Sequence, residues 1–387
     1  MTSFTEKGLV TCALEGCNEG IPEARDNYGA IYHSDNCRKL SSKRRNQQKD
    51  YEKINPDAPM DMGEFKKASD TYFEDKRVLP DPPTKVLATR IEDMGFDTPQ
   101  HAVACFSDYH FGSLIDPKVT GGIGGYNVEI ARKRLVDWRD NVLRFTQMMQ
   151  AIMPVPELHI LALGDDLEGN GHMFPTQSLQ MEISVYFQYL GFVDDMSEIL
   201  ISFLQRFEKV HIYKVFGNHG RLSGSKKDNY DPDNFELMAW QTIAERVERV
   251  VPGKFTFDIS PAFFMIVEIL GWDFYLRHGD GINLRSTYTG PLDNKLATNS
   301  IVGKVIPYMV FGHHHTATED EAEIDGEIIS NGCFVGPSLL SLKMKRPKAN
   351  RPSQEVFFVH PRKGITHRHR IHLAQRDEIR NITTIKR

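Results

Sequence analysis

The chain has 387 residues, 40% of them hydrophobic and 26% charged, with a formal net charge of −5; this excludes general disorder and fibrous repeats and allows one large domain plus a small module. The longest apolar stretch, Ala262 to Leu270, is interrupted by Glu268 and falls far short of a membrane span, and the first residues lack a basic start followed by an apolar core. A soluble, cytoplasmic protein without a membrane partner is the expectation.

Three of the five cysteines, Cys12, Cys17 and Cys37, crowd the first 40 residues beside His33. An odd count clustered in this way points to metal rather than disulfides. Three thiolates and one imidazole at Cys12, Cys17, His33 and Cys37 have the ligand count and paired spacing of a structural zinc site, and a module this small needs such a staple to fold. Its second half, Ile31 to Arg38, resembles small zinc-ribbon or treble-clef modules, with His33 where the first Cys would stand. Residues 1–45 are therefore read as a zinc-ribbon-like module. The run Arg38 to Lys49 holds six basic residues and no acid, and reads either as a phosphate-contacting segment or as a solvated helix. Pro56, Pro59, Pro80, Pro82 and Pro83 mark a linker over 46–84.

From Lys85 onward, short apolar runs alternate with helical periodicity. Ala102 to Phe106, Leu158 to Leu163 and Val210 to Phe216 read as strands. Val128 to Met153 and Leu179 to Phe207 carry apolar residues three and four apart, as helices packed on a sheet would. Phe255 to Ile259, Ala262 to Leu270, Trp272 to Leu276, Tyr308 to Phe311, Glu321 to Phe334 and Glu355 to Val359 are closely spaced strand candidates. This order predicts a mixed α/β (α+β) domain over 85–372, with one mixed sheet packed on another and helices outside. Cys105 and Cys333 read as small buried apolar residues.

Polar clusters punctuate the strand ends: Asp108-Tyr109-His110, Gly164-Asp165-Asp166-Leu167-Glu168, Gly217-Asn218-His219-Gly220, His278-Gly279-Asp280 and Gly312-His313-His314-His315. Each alone is ordinary turn chemistry. In succession, at the carboxyl ends of apolar strands where open α/β sheets bind ligands, they are hard to explain as turns. Their order resembles that of the calcineurin-like metallophosphoesterases, over roughly Lys85 to Ile371. Gly164 to Gln177, the Gly-Asn-His-Gly-Arg run, the stretch from Asn331 to Gln354 and Gly364-Ile365-Thr366 look like the bacteriophage-encoded members, and are similar also to the small subunit of archaeal D-family DNA polymerase.

The resemblance implies a four-layer sandwich and a dinuclear metal centre. Asp108, His110 and His315 would hold one ion, Asn218, His278 and His313 the other, and Asp165 would bridge them. Mixed carboxylate and imidazole ligation suits manganese, with iron or zinc as alternatives, better than calcium. His219 would act on the leaving oxygen. The family's motif is usually followed by an acid that orients this histidine; here Gly220-Arg221 follows. The orienting acid is then expected from Asp108, Asp166 or Asp280, and Arg221 either faces the phosphate or makes a surface ion pair. His314 reads as a strand-end side chain rather than a ligand.

The last 46 residues, Leu342 to Arg387, hold 13 Lys+Arg against 3 Asp+Glu, so a basic tail over 373–387, with His367-Arg368-His369-Arg370 before it, can serve an anionic partner or simply be solvated. The reading is a metal-dependent phosphoesterase cleaving phosphodiesters, a nuclease acting on nucleic acid, with DNA before RNA. Alternatives are a small-nucleotide phosphodiesterase or phosphatase, and a non-catalytic nucleic-acid-binding subunit.

Overall fold

The computed structural model describes residues 98–173, 176–223, 232–283, 290–322, 326–338, 341–342, 351–375 and 378. The zinc-module residues Cys12, Cys17, His33 and Cys37, the basic run Arg38 to Lys49, the linker and most of the basic tail lie outside the described residues.

The first half contains β1 (His101–Phe106), α1 (Val128–Gln150), β2 (Glu157–Ala162), a 3-10 turn (Gln177–Gln180), α2 (Val185–Phe203), β3 (Lys209–Lys214), α3 (Phe235–Val250) and β4 (Phe255–Ile259). The second contains β5 (Phe264–Ile269), β6 (Trp272–Arg277), α4 (Pro291–Val302), β7 (Tyr308–Phe311), β8 (Thr318–Ala322), β9 (Gly326–Ser330), β10 (Ser353–His360) and β11 (Gly364–His372). One sheet has the order β11-β10-β1-β2-β3-β4, the other β5-β6-β7-β9-β8. Strands β1 to β4 run parallel while β10 and β11 are antiparallel additions; in the second sheet β6, β7 and β9 are parallel and β5 and β8 antiparallel.

Side-chain alternation explains why the strands read as continuous apolar runs: both faces are covered. Ala102, Ala104 and Phe106, with Leu158, Ile160, Val210 and Ile212, face α1, α2 and α3, meeting Trp138, Phe192 and Trp240. Val103, Cys105, Leu161, Leu163 and Val215 face Val267, Phe274, Leu276 and Val310 of the other sheet. Helix α4 covers the far side of that sheet, with Val302 against a cluster containing Tyr275, Ile306 and Met309. The result is four layers, two mixed sheets face to face with helices outside. Cys105 and Cys333 are buried within these cores.

Three elements differ from the periodicity reading. The helix predicted over Leu179 to Phe207 begins only at Val185, because Gln180 and Glu182 pair their backbone with Leu114 and Gly112 at 2.8 Å instead; tertiary backbone pairing overrides the local pattern. Glu321 to Phe334 is not one strand but the end of β8, a turn, β9 and a loop. The His367–Arg370 segment belongs to β11, where Arg368 pairs with Glu319 at 3.0 Å and with Glu327, and Arg370 with Glu355 at 2.7 Å. The core continues past 372, with Leu373 and Ala374 buried. Among the described residues no helix is long and apolar enough to cross a membrane.

Helix α1 starts at an Asn127 cap whose side chain accepts from the Ile130 N–H at 2.8 Å. Asn127→Ala removes the acceptor of the Ile130 N–H, while Glu182 still accepts from the Val128 N–H at 2.6 Å; it should cost about 1 kcal/mol, read as a lower urea midpoint with unchanged slope.

Candidate metal centre

The carboxyl ends of β1, β2, β3, β6 and β7 carry the polar clusters, and backbone hydrogen bonds lock the loops to one another. Asp108 N–H donates to Gly164 O and His110 N–H to Asp165 O, both at 2.9 Å; Gly312 N–H donates to His278 O at 2.8 Å. The two sheets meet where the His313 N–H donates to both Asp108 carboxylate oxygens at 3.0 Å.

The structure brings Asp108, His110, Asp165, Asn218, His278, His313 and His315 to this one place. His278 Nδ1–H donates to Leu163 O at 2.8 Å, which turns Nε2 toward Asn218 Oδ1 at 3.0 Å, Asp165 Oδ2 at 3.0 Å and His313 Nδ1 at 3.2 Å. On the other side His315 Nε2 lies 3.3 Å from Asp108 Oδ1 and 3.1 Å from His110 Nε2, which is 3.9 Å from Asp165 Oδ2. Such spacings suit ligand atoms of one small divalent ion. Two groups of metal-competent side chains, Asp108/His110/His315 and Asp165/His278/His313, thus adjoin through Asp165. The donors are two carboxylates, one amide oxygen and four imidazoles, a set that fits manganese, iron or zinc.

Backbone strain is concentrated at the same residues. Asp108, His110, Asp165, His313 and His315 all have φ between 46° and 66°, and among the described residues Leu270 alone shares this left-handed region without being glycine. Each such residue costs on the order of 1–2 kcal/mol. The loops also need two glycines. A Cβ on Gly164 would fall 2.6 Å from the Gly217 backbone, and one on Gly217 would fall 2.1 Å from Asp165 N, so these loops close on each other only because neither carries a side chain.

Charge is arranged to keep the carboxylates ionised. Burial pushes Asp108 up, but His315 and His278 outweigh it and hold it at about 2. Burial likewise opposes ionisation of Asp165, yet His278, His219 and His110 hold it well below the usual carboxylate range. His278 is lowered by burial but raised more by Asp165, reaching about 10, while burial and His278 push His313 down to about 3.

His219 sits with its ring edge-on to His110, centroids 4.5 Å apart, and its N–H donates to Asp165 Oδ1 at 2.8 Å. The acid beside its side chain is none of those expected. Glu168 offers its backbone oxygen at 3.2 Å and Oε1 at 3.6 Å to His219 Nδ1, and its Oε2 lies 3.1 Å from His110 Nδ1. Asp108 is engaged with His313 and His315, Asp166 with Lys214, and Asp280 lies near His278. Burial lowers His219, but Asp165 and Glu168 outweigh it and raise it to about 9. Glu168 was visible in the sequence as the last residue of the Gly-Asp motif; nothing local marked it as the partner of two histidines. Gln177 joins it, donating to Glu168 O at 2.8 Å and Oε1 at 2.9 Å. Arg221 bridges through its backbone to Asn234, and its buried Nε has no hydrogen-bond partner among the described residues. His314 packs edge-on against Phe311.

Beneath the centre lies a buried ion cluster that sequence reading missed. Lys214, fully buried, pairs with Asp166 and with Glu236 at 2.9 Å. Glu236 accepts from Gly217 N–H at 3.0 Å and Asp166 N–H at 3.1 Å, while Trp240 Nε1–H donates to Asp166 at 2.7 Å. One lysine is therefore shared by two carboxylates, of which Glu236 holds both ligand-bearing loops. Lys214→Met leaves those carboxylates without a cation and should destabilise the fold by about 3–5 kcal/mol, measured by chemical denaturation.

Glu168→Gln keeps the shape but removes the charge beside His110 and His219. Affinity of the chelator-stripped chain for a divalent ion should fall about 10–100-fold, measured by titration.

No family model and no curated protein matches the chain. Among solved structures it is similar to the dimetal phosphatase of Danio rerio (10% identity, 71% of this chain and 99% of that one, TM-score 0.34). It is similar also to YfcE, a phosphoesterase from E. coli (15% identity, 70% and 100%, TM-score 0.29). A third is Vps29 of Entamoeba histolytica complexed with zinc (10% identity, 70% and 99%, TM-score 0.28). What the site does rests on its own residues.

Proposed function

We propose that this chain is a metal-dependent phosphoesterase whose dinuclear centre is held by Asp108, His110, His315, Asp165, Asn218, His278 and His313. The observation that carries the reading is the convergence of seven donors from five strand ends into two groups adjoining at Asp165, five of them in left-handed backbone. Strain of this kind persists where the surrounding structure enforces it, and it clusters at active sites. Two divalent ions, when bound, would lower the pKa of a water and neutralise the nonbridging phosphate oxygens.

The chain's own residues supply the rest. Asp165 presents one oxygen toward each histidine group's shared edge and fixes the His219 backbone with the other. His219 donates through Nδ1–H to Glu168 and gives its Nε2 proton to the leaving oxygen, while Gln177 holds Glu168 in place. Asp165→Asn should abolish hydrolysis and lower metal content together. Full activity with undiminished metal in that variant would remove Asp165 from the bridging role.

We extend the reading to phosphodiesters of nucleic acid, with a small nucleotide as the alternative substrate. Arg368 and Arg370 are engaged by Glu319, Glu327 and Glu355, so phosphate tracking is assigned chiefly to the basic run Arg38 to Lys49. Deleting residues 1–50 should flatten the salt dependence of DNA binding, a slope near 0.9 per phosphate contacted, while hydrolysis of a small p-nitrophenyl phosphodiester persists. Negligible, salt-independent binding to DNA and RNA by the full chain would instead favour the nucleotide.

A further inference from the structure

A second group of metal-competent side chains lies at the amino ends of β1, β2 and β3, the opposite end of the strands from Asp165. His101, Glu157, His159 and His211 fall on odd positions, the face that carries Val103, Cys105, Leu161 and Tyr213 into the space between the sheets. Strand register places His159 opposite Val103 on one side and His211 on the other. The apolar core between the sheets therefore ends in a row of imidazoles, where apolar side chains would satisfy burial without polar atoms.

We propose that His101, Glu157 and His159 form a mononuclear divalent-cation site, of the zinc or cobalt class, separate from the dinuclear centre. One atom of each residue lies within 4.8 Å of the others. His101 Nδ1 is 2.9 Å from His159 Nε2 and 3.7 Å from Glu157 Oε2. A tetrahedral ion with bonds of about 2.0–2.1 Å separates its ligand atoms by about 3.4 Å, so the observed spacings straddle what it needs. Two imidazoles and one carboxylate are an established zinc ligand set with a fourth position for water.

The surrounding groups orient the ligands. His159 Nδ1 lies 3.3 Å from the Tyr213 hydroxyl; donating there, it leaves the Nε2 lone pair for the cation. Glu157 Oε2 accepts from His211 Nε2 at 2.7 Å, and His211 Nδ1 is 2.7 Å from Thr256 Oγ1. Metal ligands are commonly fixed by such outer partners. Burial, then His211, His101 and Lys209, push His159 down to about 2, so it is a neutral ligand at physiological pH. Binding replaces the His101–His159 hydrogen bond: His101 moves its proton from Nδ1 to Nε2 and both ligating nitrogens offer lone pairs. No net proton is released. The ion would tie β1 to β2 where the chain enters the first sheet.

The test uses the full chain stripped with a chelator and titrated with Co2+, followed by visible absorption and calorimetry. Wild type should bind one more equivalent, with the spectrum of nitrogen and oxygen ligation, than His101→Ala; Glu157→Gln should weaken that equivalent at least tenfold. Thermal unfolding in chelator checks that each variant folds. Equal cobalt counts and affinities in wild type and both variants would overturn the site. Should His101→Ala fail to fold, unchanged affinity in Glu157→Gln is sufficient to overturn it.

Discussion

One buried carboxylate organises this molecule's chemistry. Asp165 accepts the His219 N–H with one oxygen and lies 3.0 Å from His278 Nε2 with the other, which also faces His110. Its own backbone oxygen receives the His110 N–H. Loops from β1, β2 and β3 and the end of β6 are thus indexed to a single side chain. A buried anion is stable only with compensating donors or cations, and here His110, His219 and His278, from three segments, provide them. The sheets must pack so that their strand ends meet, and the His313–Asp108 contact is where they do.

Charge balance is divided between two depths. Beneath the loops, Lys214 pairs with Asp166 and Glu236, and the Glu236 carboxylate holds Gly217 and the turn at Asp166 by their N–H groups. Burial, with a smaller push from Asp166 and Asp165, raises Glu236 to about 7 against the pull of Lys214. Above it, Asp108 and Asp165 have no Lys or Arg among their main compensating partners, only imidazoles. Imidazole can be a neutral ligand or a proton carrier, whereas a lysine would compete with a divalent ion for the same oxygens. The fixed cation is kept for structure and the titratable ones for the site.

The same distinction changes the meaning of the basic carboxyl-terminal stretch. By count it is a cationic surface, but Arg368 and Arg370 spend their charge on Glu319, Glu327 and Glu355 across the face formed by β8, β9, β10 and β11. Net charge over a sequence window describes solubility and steering only for groups left without intramolecular partners. Two acids of that face, Glu319 and Glu327, lie some forty to fifty residues earlier in the chain, outside any window centred on the tail.

By itself the sequence determined the layered α/β class, because strands buried on both faces leave unbroken apolar runs, as at Ala102 to Phe106 and Leu158 to Leu163. It also marked the candidate donors, because Asp, Asn and His at the abrupt ends of such runs have no packing reason to be there. Glycines at 164 and 217 were legible as motif members, though only the close approach of their loops explains them. Tertiary structure alone decided the partnerships. Glu168 serves His110 and His219 across separations of 58 and 51 residues, Lys214 reaches back to Asp166 and forward to Glu236, and His101 meets His159 only through strand register. Periodicity records which face a side chain takes, but charge pairing and ligand convergence depend on distances between strands that no local pattern encodes.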